Sequence, residues 1–169
     1  MRIEPLIAII LVAAVTTNTV SVLLQKKYKL YNRLSKRYGA YIHGGIILPF
    51  WALFFAIVFY YAFSYGELTD GLLNATVSIF LVVISLYLIY ASIRTLGFWS
   101  LVNGNFFNKG QQSHAKQSVY GHLQNPMYIG FELLVASLAI AYETYFLLVI
   151  AGLMFIGLNL VQARFEIPS

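Results

Sequence analysis

Apolar residues along this chain gather into five long runs. They do not alternate as in a half-buried strand, and they do not form the single stripe of a soluble helix. The runs cover residues 4–24, 46–65, 72–93, 127–142 and 145–161. The second carries Pro49 near its start, and the fourth is interrupted by Glu132. Only Glu143 and Thr144 separate the last two, which predicts a tight helical hairpin. Runs of about 20 apolar residues match the thickness of a bilayer core. The pattern predicts an all-α, polytopic transmembrane helical bundle of about five spans, ending in that hairpin. The last two runs are short for a full crossing, so tilt or local thinning is expected there.

Composition agrees with the pattern. Of 169 residues, 60% are apolar and 10% charged, against about 25% charged in a soluble domain. Five spans use nearly the whole length, so residues 1–169 are expected to form a single integral-membrane domain. The first run lacks a strong basic leader and a small-residue cleavage site before Gln25, so it is expected to stay as a span. With no cysteine, a disulfide framework, a thiol nucleophile and a cysteine-held metal are excluded. Two isolated loop histidines, His114 and His122, do not make a metal site.

The net charge of +5 is a matter of topology and does not point to nucleic acid. Lys26, Lys27, Lys29, Arg33, Lys36 and Arg37 lie between the first two runs, Arg94, Lys109 and Lys116 between the third and fourth, and Arg164 after the fifth. Only Arg2 falls on the other side. The positive-inside rule then puts the N-terminus outside and the C-terminus in the cytoplasm. Within residues 25–43, Lys26, Lys29, Arg33 and Lys36 share one helical face, and Leu30, Leu34, Tyr38 and Tyr41 the next. This segment reads either as a helix lying in the headgroup region or as a plain topology determinant.

Residues 95–128 are too long and too patterned for a passive connector. Gly97, Gly104, Gly110 and Gly121 alternate with Trp99, Phe106, Phe107 and Tyr120, and that aromatic content argues against disorder. The stretch closes on Gln124-Asn125-Pro126-Met127-Tyr128-Ile129-Gly130. Asn125 is suited to cap a helix and Pro126 to open it. Such a start either simply begins the fourth run or offers its free N–H groups to an anion.

Three blocks extend this reading. They are Leu34-Ser35-Lys36-Arg37-Tyr38-Gly39; then Leu96-Gly97-Phe98 with Gly104-Asn105-Phe106-Phe107; then Leu123 to Gly130 followed, after the hairpin, by Phe165-Glu166-Ile167-Pro168. In order and spacing they resemble the phosphatidylethanolamine N-methyltransferase family of small membrane phospholipid methyltransferases. These are related to the prenylcysteine carboxyl methyltransferases. The Asn125-Pro126-Met127-Tyr128-x-Gly130 run is the most specific part. Two positions depart: Glu166-Ile167 stands where the family has paired glutamates, and Val83-Ile84-Ser85 where it has Gly-x-Gly.

The resemblance implies methyl transfer from S-adenosylmethionine to the amine headgroup of a membrane phospholipid, at the cytoplasmic surface of a plasma or endoplasmic reticulum membrane. It implies cofactor contacts from Gly97, Gly104, Asn125, Pro126, Tyr128 and Glu166. The Tyr128 ring is suited to border the sulfonium. His122 or His114 is suited to take the proton of the amine, or is a plain loop histidine. Glu132 is owed to the residues alone. It lies four positions after Tyr128 and hence on the same helical face, and an ionisable group inside a span marks a functional site by default. It is expected to hold the amine, to accept its proton, or to make a structural pair with Arg94 or a hydroxyl. Three other readings stay open: a different lipophilic acceptor such as a prenylcysteine carboxylate, a small cation transporter built on Glu132, and a catalytically dead relative, suggested by the two departures at Val83-Ile84-Ser85 and Glu166-Ile167.

Overall fold

A computed structural model describes residues 3–34, 38–96, 123 and 126–162. Every regular element among them is helical: α1 (Ile3–Tyr28), α2 (Leu30–Leu34), α3 (Gly39–Tyr65), α4 (Leu72–Leu96), α5 (Pro126–Ala141) and α6 (Tyr145–Phe155), the last continued by a π-helical segment, Ile156–Gln162. Stretches 3–25, 41–65 and 72–95, in α1, α3 and α4, are long and apolar enough to cross a membrane. The 16 residues of α5 rise only about 24 Å, short of a core about 30 Å thick.

Contacts at the helix ends fix an up-and-down arrangement. Tyr61, near the end of α3, donates to Glu4 at the start of α1. The amide of Thr69, between α3 and α4, donates to Ala141 O at the end of α5 (2.8 Å). Asn74 of α4 reaches Glu143 in the α5–α6 turn. That turn is tight because Glu143 adopts a left-handed backbone (φ 48°), a conformation uncommon outside glycine. Gly66 lies against it, where a Cβ would come within 2.6 Å of Tyr142 Cβ. One end of the bundle therefore collects the start of α1, the α3–α4 connection and the hairpin tip. The opposite end collects α2 and the beginnings of α3 and α5.

The basic segment 25–43 is not one surface helix. Lys26 and Lys27 extend α1, Lys29 breaks the path with a left-handed backbone (φ 50°), and Tyr41 already belongs to α3. The short α2 is pulled inward by Tyr31, 4% exposed. Its amide donates to Gln25 Oε1 at 3.0 Å, its hydroxyl meets the Ser21 hydroxyl, and its ring lies edge-on to His43. Ser21 is 2.8 Å from His43 Nδ1, so one buried polar cluster ties α1, α2 and α3 together. Burial of polar groups holds only with such partners.

The core joins Ile7, Phe54, Val58, Val135, Leu147 and Met154 at one interior. Outward positions such as Ile9, Leu53, Phe63, Ile79 and Val83 are apolar and at least half exposed, as suits contact with lipid tails. The seam between α4 and α5 uses small residues. Ser85 Oγ donates to Gly130 O (2.7 Å) and Ser78 Oγ to Ser137 O (2.9 Å). The two bonds lie one heptad apart on each helix and set an antiparallel register, with small side chains allowing close approach. A Cβ on Gly130 would meet Ile89 Cγ1 at 2.9 Å and Ser85 O at 3.1 Å. Gly130→Ala is expected to destabilise by about 1–3 kcal/mol through overpacking, and Ser85→Ala by only about 0.6 kcal/mol. Thermal unfolding in detergent checks this; equal midpoints for the two variants would contradict so close a seam.

Candidate functional site

The first two turns of α5 carry the site. Pro126 is its first residue and is buried. Its missing N–H costs nothing at that position, and its fixed φ suits the start of a helix. From there Tyr128 and Glu132 project along one side of the helix, one turn apart. Each is 7% exposed. Glu132 lies about 9 Å along the axis from Pro126. Gly130, between them, faces α4. The glycine seam thus turns the two candidate side chains towards α1, α3 and α6.

Glu132 is held by an amide. Asn159 Nδ2 donates to Glu132 Oε1 at 2.6 Å. The pairing with Arg94 is not made: Arg94 is exposed in the last turn of α4. Nor does a hydroxyl supply the described contact. Asn159 stands in the π-helical segment. Such segments change the register of a helix locally and recur at functional sites. A buried polar group without a partner costs about 1–3 kcal/mol, so this hydrogen bond is what makes Glu132 tolerable so deep.

Tyr128 borders a cavity of ≈150 Å³ between α1, α3, α5 and the end of α6. Trp51, Phe55 and Phe131 supply further walls, and Asn18 a polar one. The rings support one another. Phe55 lies 5.2 Å from Phe131 and 6.2 Å from Trp51 between centroids. Leu48 and Ala52, also on the lining, are exposed on the outer face of α3, so the cavity reaches the lipid-facing surface.

Of the residues expected at the site, Pro126, Tyr128 and Glu132 come together on α5. Gly97, Gly104, His114, His122, Asn125 and Glu166 lie outside the described residues. Of the candidate S-adenosylmethionine contacts, the described ones are the buried Pro126 and Tyr128, and the face of the Tyr128 ring fits a neighbouring sulfonium. Sequence reasoning missed Asn159, Asn18, Trp51 and Phe55. The two asparagines carried a signal, since each is an amide within an apolar run. The two aromatic residues carried none, being indistinguishable from lipid-facing neighbours such as Leu53.

A model of the phospholipid methyltransferase family matches residues 73–169. That is more than half of the chain, and the chain belongs to this family. The match takes in α4, α5 and α6 and leaves α1, α2 and α3 outside. No curated protein and no solved structure matches it at a significant level. Membership implies phospholipid methyltransferase activity and, with it, S-adenosylmethionine as the methyl donor.

Asn159→Leu removes the partner of Glu132 and is expected to destabilise by about 1–3 kcal/mol. Glu132→Gln keeps an acceptor for Asn159 and is expected to lose under about 1 kcal/mol. Thermal unfolding of both variants decides the point. Equal stability of Asn159→Leu and the parent would show that Glu132 does not depend on this bond.

Proposed function

We propose that this protein transfers a methyl group from S-adenosylmethionine to the amine of a phospholipid headgroup, phosphatidylethanolamine or its methylated forms. The reaction would take place at the end of the bundle where α5 begins. The observation that supports this reading best is the joint placement of Tyr128 on the cavity wall and Glu132 one turn deeper. The five longer helices cross the membrane in alternation, with the bilayer thinned locally around α5 and α6. The basic residues of α2 and its flanks support a cytoplasmic position for the reacting end. That position is open to a water-soluble donor and to a lipid acceptor.

When bound, the donor would supply an electrophilic methyl group to the amine nitrogen and would leave as the thioether. The protein's part is alignment, exclusion of water and management of one proton. Pro126 and Tyr128, with Gly97, Gly104, Asn125 and Glu166, would hold the donor. Glu132 draws the lipid ammonium inward, because a carboxylate attracts a cation strongly where the dielectric is low. The amine attacks only after losing a proton, which Glu132 or His122 accepts. Asn159 holds the Glu132 carboxyl in one position throughout. A prenylcysteine acceptor fits less well, since those relatives carry histidine where Asn125 stands.

Glu132→Gln tests the assignment. Turnover on phosphatidylethanolamine is expected to fall by about 10²-fold or more, with S-adenosylhomocysteine affinity unchanged. Full turnover in a stable Glu132→Gln protein would exclude Glu132 from the reaction. Binding of neither donor nor product thioether by the parent protein would overturn the methyltransferase reading itself.

A further inference from the structure

We propose that the cavity between α1, α3 and α5 seats the methylated ammonium of a headgroup, preferring a nitrogen that already carries methyl groups to a primary one. This rests on the phospholipid-amine reading above and names the headgroup within it: a mono- or dimethylated amine as acceptor and the quaternary ammonium, which has no lone pair left to accept a methyl group, as product. Among the described residues lining the cavity there is no formal charge; Asn18 and Tyr128 bring its side-chain acceptors, and Trp51 adds only an N–H donor. A primary ammonium has three N–H donors that each need an acceptor, and this lining is poor in them. Every methyl group added removes one donor and adds apolar surface. A quaternary ammonium needs no acceptor at all and is drawn instead to the faces of Trp, Tyr and Phe rings. Trp51, Phe55, Phe131 and Tyr128 present four such rings around one space.

Size agrees. A space of ≈150 Å³ is that of a cavity known to accept benzene. A trimethylammonium group with the two methylenes next to it has as many heavy atoms as benzene. The phosphate and glycerol of the lipid would stay outside. Access agrees as well, because Leu48, 43% exposed, places the rim on the lipid-facing side of α3. Asn18, Trp51 and Phe55 belong to the part of the chain outside the family match.

The chain has two tryptophans, so Trp99→Phe leaves Trp51 as the sole indole reporter. In that background, detergent-solubilised protein is titrated with tetramethylammonium, with ammonium, and with 3,3-dimethylbutanol, a neutral molecule with the shape of choline. Tetramethylammonium is expected to give a saturable change in Trp51 emission. The neutral alcohol should bind at least about 10-fold more weakly, and ammonium should give no response. Phe55→Leu should weaken tetramethylammonium by about 2–30-fold, while Phe55→Tyr, which keeps the ring, restores binding. Equal binding of the neutral alcohol would show a merely apolar pocket and overturn the proposal. Loss of the response in saturating S-adenosylhomocysteine would assign the cavity to the methyl donor and overturn it too. Methyl transfer to phosphatidylethanolamine without any tetramethylammonium response would overturn the cavity assignment and leave the acceptor reading intact. A tetramethylammonium response without transfer to any amine lipid would support the cavity and contradict the acceptor reading.

Discussion

The close approach of α4 and α5 at Gly130 is the constraint on which the rest depends. Inside a bilayer, apolar contact alone does little to hold two helices together, because lipid tails are just as apolar. Association falls to shape and hydrogen bonds. Gly130 removes the side chain that would hold the helices apart, and Ser85 and Ser78 each bond a carbonyl across the gap. That seam fixes the rotation of α5 about its own axis. With Gly130 turned to α4, Tyr128 borders the cavity and Glu132 meets Asn159.

The shortness of α5 has a related effect. A helix that rises about 24 Å cannot place both ends at the two surfaces of a bilayer core. The hairpin tip is fastened to the α3–α4 connection by the Thr69–Ala141 hydrogen bond and the packing of Gly66 on Tyr142. Its other end, at Pro126, is then left recessed below the ends of the longer helices. On the proposed function, this end, next to basic residues on α2 and its flanks, is where a lipid headgroup would be drawn in. The π-helical turn in the last helix brings Asn159 to Glu132, the one buried carboxyl among the described residues.

Much of this was legible in the sequence. The five apolar runs predicted five of the six helices, with α3 beginning seven residues earlier than its apolar run. The hairpin followed from the two residues Glu143 and Thr144. Pro126 announced the start of α5, and Glu132 stood out as an acid in an apolar run. The division of residues 25–43 was not legible, because helical periodicity does not reveal a left-handed residue such as Lys29 or the inward pull of Tyr31. The Glu132 partner was hidden for a different reason. Asn159 lies 27 positions away on a segment whose helical register changes, so no spacing rule joins the two. The aromatic cavity is likewise a product of helix packing, and lipid-facing and site-facing aromatic residues look alike in one dimension.

The central claim is that a lipid headgroup enters at the beginning of α5, between α3 and the carboxyl-bearing face. Photocrosslinking tests it most directly. The protein is reconstituted in bilayers containing a phospholipid with a diazirine on its headgroup nitrogen, irradiated, digested and mapped by mass spectrometry. The account predicts adducts on α3 around Leu48 to Phe55 and on α5 around Tyr128 to Phe131. Adducts confined to the opposite end, around Glu67, Asp70 and Glu143, would contradict it.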